Sequence, residues 1–180
     1  MKHLLAFLAF AQSLAYSQSV LWNEELMGPL ANDYAFAQNF GPLQVGSNTV
    51  IGSVQIERNG TVYTIFDDHF IFTVPSGYRV TSLFASINGP APVIWIGGAG
   101  FGQTRYYFQG VQPGELFSTT NAMLDEGAFG TYVGTRFLPF DVSNTDYRLD
   151  FVVTPIPEPG TWVLLGVAGA ACWAVRRRRR

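Results

Sequence analysis

The amino-acid sequence predicts an all-β protein: a single β-sandwich or jelly roll, flanked by an N-terminal signal peptide and a C-terminal transmembrane helix. Three observations point there. Between residues 16 and 154, short runs rich in Val, Ile, Phe, Tyr and Thr are broken by Gly, Pro, Asn and Asp every 8 to 15 residues or so, roughly the rhythm of strands joined by turns. No segment of that body keeps a 3.6-residue apolar period for three turns, so nothing reads as an amphipathic helix. The two ends carry uncharged, largely apolar runs with opposite flanks, one following Lys2-His3 and one preceding five arginines.

Residues 1–15 read as a cleavable signal peptide. Lys2 and His3 form a basic start, and residues 4–11 are an apolar run too short to span a bilayer. Ser13-Leu14-Ala15 places small residues at −3 and −1 for cleavage after Ala15, and Ala15-Tyr16-Ser17 repeats the pattern for cleavage after Ser17.

Residues 16–154 form the exported domain, about 140 residues and enough for one core. Strands are expected at 50–57 and 61–66, joined at Asn59-Gly60, because Asn-Gly tolerates the positive φ of a type I′ turn. Further strands are expected at 70–74, 80–87, 93–96, 106–111, 131–137 and 149–154. Phe70, Phe72 and Val74 alternate on one face before the Pro75-Ser76-Gly77 break, and with Leu83 and Phe151 they make the expected core. The same alternation turns His69 to solvent.

Residues 155–160 hold prolines at 155, 157 and 159. These fix φ, remove amide donors and imply an extended stalk that presents Glu158. Residues 161–175 contain no charge and read as a transmembrane helix, and 176–180 are a cytoplasmic arginine cluster. As a helix, residues 162–175 extend about 21 Å, short of the roughly 30 Å hydrocarbon core, so the arginines must snorkel to the headgroups. This order resembles the PEP-CTERM sorting signal of exported bacterial proteins, in which a Pro-Glu-Pro motif, a membrane helix and a basic terminus are read by a membrane-embedded exosortase. The resemblance implies Pro157, Glu158 and Pro159 as the sorting motif and Arg176, Arg177, Arg178, Arg179 and Arg180 as the stop-transfer block. It also implies an exosortase-like processing enzyme and signal peptidase as partners. The chain would be anchored N-out/C-in in the inner membrane before processing, then reach the cell surface or the extracellular space.

A second stretch, Asp68-His69-Phe70-Ile71-Phe72-Thr73-Val74-Pro75-Ser76-Gly77, resembles an acidic-x-Phe-x-Phe-x-Val-Pro-x-Gly strand of secreted bacterial pre-peptidase C-terminal-like sandwiches. Residues 45–52 resemble another element of those domains. Such domains are mostly accessory modules for adhesion, carbohydrate or matrix binding, and some bind calcium.

Charge and chemistry narrow the function. Residues 16–154 contain five arginines, no lysine and twelve carboxylates, a formal charge of −7, which excludes nucleic acid as a partner. The only cysteine, Cys172, lies in the apolar tail, so the domain has no disulfide. Asp33, Asp67 and Asp68 are the candidate calcium ligands, with Asn32 or backbone carbonyls completing the shell; the alternative is that Asp67-Asp68 is a polar turn. Apart from calcium no cofactor is expected. His69 is the one histidine left after signal cleavage, which excludes a multi-histidine zinc site and makes a Ser-His-Asp triad depend on a solvent-facing residue. The glycine-rich stretch 97–102 lacks the Lys-Ser/Thr of a phosphate-binding loop. Trp95, Phe101, Tyr106, Tyr107 and Phe108 surround it, as core residues or as a surface for sugar rings.

The expected function is therefore an exported, non-enzymatic surface or extracellular-matrix protein linked to exopolysaccharide or biofilm. The alternative is a carbohydrate-binding or calcium-dependent adhesion module, which requires an aromatic platform or an acidic cluster. Ice binding is a variant of it, since similar tails occur on ice-binding proteins, although no regular Thr-x-Thr ladder is present. A secreted hydrolase requires two facing carboxylates, and nothing in the spacing suggests such a pair.

Overall fold

A computed structural model describes residues 17–59, 62–98, 104–117, 124–135 and 143–156. The signal peptide, the Pro157-Glu158-Pro159 motif, the apolar segment 161–175 and Arg176 to Arg180 lie outside the described residues. Among the described residues no helix is long and apolar enough to cross a membrane.

The described residues form eleven strands, β1 (Ser17–Asn23), β2 (Gln38–Pro42), β3 (Gly46–Asn59), β4 (Val62–Phe66), β5 (Asp68–Val74), β6 (Tyr78–Asn88), β7 (Val93–Gly98), β8 (Thr104–Phe108), β9 (Gly114–Phe117), β10 (Gly127–Gly134) and β11 (Ser143–Pro155). Two short helical turns interrupt them, α1 (Glu24–Met27) and a 3₁₀ turn (Tyr34–Phe36). One sheet has six strands in the order β1-β3-β11-β6-β9, with β4 also paired to β3; the other has five in the order β2-β5-β10-β7-β8. β1 runs parallel to β3 as far as Asn23↔Ile51, and β4 pairs antiparallel beyond it from Gln55, so both share one edge of β3.

Period-two burial decides which faces meet. In β5, Asp68, Phe70, Phe72 and Val74 are buried and alternate with half-buried His69, Ile71 and Thr73. In β11, Tyr147, Leu149, Phe151 and Val153 are buried. Phe151 of the six-stranded sheet meets Phe70 edge-on at 6.4 Å and Phe72 at 4.9 Å, so the two sheets share one core in the manner of a β-sandwich. All five expected core residues, Phe70, Phe72, Val74, Leu83 and Phe151, lie in it.

Each of the eight expected strands overlaps an observed one, and three strands were not foreseen. β2 spells Gln-Asn-Phe-Gly-Pro, the composition of a turn, and both β1 and β2 are edge strands held in parallel pairing. β9 is only four residues long. The β3–β4 hairpin closes differently from the expectation. Its last pair is Asn59↔Val62 rather than the Arg58↔Thr61 pair that an Asn59-Gly60 turn requires, and the connecting residues 60–61 lie outside the described residues. This register sets Ile56 opposite Ile65 and Arg58 opposite Tyr63, with the guanidinium 5.8 Å from the ring centroid.

The two ends of the domain differ. At one end β11 finishes with Pro155 opposite Tyr78, and the Ile156 amide donates to the Gly77 carbonyl at 2.8 Å. Ser17 and Gly46 lie at the same end, through the pairs Ser17↔Gly46 and Gly46↔Val153. The start of β5 and the end of β10, paired as Asp68↔Val133, lie at the opposite end.

Candidate functional site

The start of β5 organises the end of the domain remote from Pro155. The Asp67 amide donates to Asn32 Oδ1 at 2.8 Å, Asn32 Nδ2 donates to the Ile65 carbonyl at 3.0 Å, and the His69 amide donates to the Ala31 carbonyl at 3.0 Å. These bonds tie the segment before the 3₁₀ turn to β5. Asp33 Oδ1 then accepts from the Ala35 amide at 2.9 Å, capping the 3₁₀ turn. Tyr34, the first residue of that turn, is left 63% exposed.

Asp67, Asp68 and His69 diverge. Asp68 points inward and is 3% exposed, accepting from the Tyr147 hydroxyl at 2.8 Å. Burial, with the Glu24 charge adding to it, pushes its pKa up to about 8 against the opposing Tyr147 bond, and burial likewise holds the Tyr147 phenol well above its usual range. Gly52 makes this pair possible, since a Cβ there would lie 2.6 Å from the Tyr147 hydroxyl and 3.0 Å from Asp68 Oδ2. Glu24 fastens α1 to β3 by accepting from the Ser53 amide at 2.6 Å, and holds the segment after α1 by accepting from the Leu30 amide at 2.8 Å.

The outer face of the five-stranded sheet carries a row of rings. His69, Tyr132, Trp95 and Tyr107 are successive cross-strand partners on β5, β10, β7 and β8. With Tyr34 they line a shallow groove of about 280 Å³. The Tyr132 ring lies back over Gly134, where any Cβ would collide with it, and its hydroxyl donates to Asp67 Oδ2 at 2.9 Å. Asp67 Oδ1 accepts from the Thr135 amide at 3.4 Å. The His69 and Tyr132 ring centroids are 5.1 Å apart. Burial lowers the His69 pKa despite Asp67 and Asp33, raises that of Asp67 despite its two hydrogen bonds, and raises that of Tyr132. At neutral pH the row therefore offers a neutral imidazole at His69 and a protonated phenol at Tyr132 beside ring surfaces, which suits stacking and neutral hydrogen bonding.

The expected site residues separate. Among the described residues no group of three or more His, Cys, Asp or Glu side chains could hold a metal ion. Asp33 caps the 3₁₀ turn, Asp67 fixes Tyr132, and Asp68 is in the core. Of the aromatic group, Trp95 and Tyr107 face outward. Tyr106 and Phe108 turn inward against Phe117, at 5.4 and 6.5 Å. Phe101 and residues 99–102 of the glycine-rich stretch lie outside the described residues. Asp125 pairs with Arg79 at 3.3 Å and Glu126 accepts from Ser76 at 2.6 Å, both near the tail end. Sequence reasoning missed Tyr34 and Tyr132. Tyr132 carries one signal, its position between the inward Thr131 and Val133, but its alignment with Trp95 depends on register.

Residues 155–180, beginning where β11 ends, match the family model of the PEP-CTERM protein-sorting motif. The chain ends in a PEP-CTERM sorting motif. The motif implies export, a membrane-associated C-terminal sorting signal and processing by an exosortase. Among solved structures, the chain is similar to the pre-peptidase C-terminal domain of collagenase from Bacillus anthracis, the kind of domain that residues 68–77 resemble in sequence. The identity is 16% and the TM-score 0.37, over 66% of this chain and 94% of that one. A comparison with curated proteins finds no match.

Proposed function

We propose that this PEP-CTERM chain is an exported, non-enzymatic surface or extracellular-matrix protein linked to exopolysaccharide. Its β domain is the delivered part, and residues 155–180 are the address. The match of the sorting motif to residues 155–180 carries this reading. The motif starts as the chain leaves the domain at Pro155 and Ile156, so Pro157-Glu158-Pro159 follows without a folded spacer. In an N-out/C-in orientation, Arg176 to Arg180 stay on the cytoplasmic side and the motif stands at the outer membrane face. The non-enzymatic reading is supported by His69, which stands among ring surfaces, and by Asp67, whose two oxygens are both engaged. Replacing Glu158 with Ala tests the address. The parent should mature to a C-terminus near the Pro-Glu-Pro motif and the variant should keep Arg180; a variant that matures to the parent's C-terminus contradicts the sorting role of Glu158.

The row of His69, Tyr132, Trp95 and Tyr107 favours a second, compatible reading, that of a carbohydrate-binding module.

A further inference from the structure

We infer that the outer face of the five-stranded sheet binds an uncharged, extended polysaccharide laid across strands β5, β10, β7 and β8. The inference names a ligand class for the carbohydrate-binding reading and rests on it. Four cross-strand partners on neighbouring strands occupy three strand spacings, roughly 14 Å in all. One strand spacing, roughly 5 Å, is close to the advance of one pyranose in an extended glycan, so the row matches about three sugars in register. Pyranose rings expose C–H faces that pack on aromatic rings, and their hydroxyls can hydrogen-bond to the tyrosine hydroxyls of the row.

The form of the groove selects the middle of a chain. It is shallow and lies on the open face of a sheet, with Tyr34 of the 3₁₀ turn as a fifth lining residue. Its charge selects against acidic sugars, because Asp67 bonds to a lining residue and, among the described residues, the lining contains no Lys or Arg.

The position of the groove fits a tethered protein. His69 is the second residue of β5, and Val74, five residues on, pairs with Gly127 at the end where Pro155 leaves the domain. Along the strand that is roughly 17 Å. The row therefore stands away from Pro155, where β11 ends.

Affinity electrophoresis of the protein purified as exported tests the inference, with a soluble β-glucan, a mannan and a chitin oligosaccharide as neutral probes and alginate as a polyuronate. Trp95→Ala and the more exposed Tyr107→Ala are compared with the parent, with melting temperatures taken alongside. At least one neutral glycan should retard the parent, about tenfold more weakly for each variant, at an unchanged melting temperature for Tyr107→Ala. Alginate should not retard it. Absence of retardation by all three neutral glycans, stronger retardation by alginate, or equal retardation of the parent and Tyr107→Ala overturns the inference. Retardation by neutral glycans that survives in both variants leaves a carbohydrate-binding module but removes this site. The C-terminal mass of the same preparation reads the sorting role separately.

Discussion

Replacing Asp68 with Asn should remove a pH dependence of stability that this residue imposes. Asp68 is 3% exposed and its folded pKa is about 8, against 3.8 for the free side chain. Between those values the folded state holds a proton that the unfolded state has lost. The contribution of Asp68 is therefore full below about pH 3.8 and falls by about 1.4 kcal/mol per pH unit until pH passes 8. His69 has the opposite sign, because its pKa is lowered, but its window lies below 6.5. The raised Asp67 acts in the same direction as Asp68. From pH 6.5 to 8 the parent should lose on the order of 2 kcal/mol of unfolding free energy. Asn keeps an oxygen for the Tyr147 hydroxyl 2.8 Å away and cannot ionise, so most of this loss should vanish. Urea denaturation at the two pH values reads the difference as a shift in midpoint at constant slope. A parent midpoint that stays level or rises from pH 6.5 to 8 refutes the buried, protonated Asp68.

Other substitutions probe the packing, the row and the tail. Gly52→Ala forces a Cβ against the Tyr147 hydroxyl and should destabilise by about 1 to 3 kcal/mol in a thermal melt. Phe72→Ala empties the contact with Phe151 at 4.9 Å and should cost about 3 to 5 kcal/mol by urea denaturation. Gly134→Val displaces the Tyr132 ring from its bond to Asp67, so neutral-glycan retardation should fall well below that of the parent. Neutral residues in place of Arg176 to Arg180 should shift the unprocessed chain out of the membrane fraction, which fractionation and immunoblotting would show.

Short-range patterns were legible in the sequence, and alignments between distant strands were not. The alternation of Phe70, Phe72 and Val74 identified the inner face of β5, and extending it back two residues places Asp68 on that face too. Reading Asp67-Asp68 as a polar turn missed this, because composition outweighed parity. The tail was readable because a sorting signal is recognised as a linear order of motif, apolar segment and arginines. The ring row was not, since Tyr132 meets Trp95 only through the β10–β7 register and His69 only through the β10–β5 register. Trp95 and Tyr107 belonged to the aromatic group seen in the sequence, but neighbours in sequence part company in a strand, and Tyr106 and Phe108 pack, partly buried, against the core. β2 was hidden by its turn-like composition, because parallel pairing at an edge of β5 asks little of side-chain pattern.

The intact mass of the protein recovered after export tests whether residues 155–180 are a sorting address removed once the β domain is delivered. The mature chain should end near Pro157-Glu158-Pro159 and lack Arg176 to Arg180. A mature protein that still carries Arg180 would contradict it and make the chain a resident single-span membrane protein.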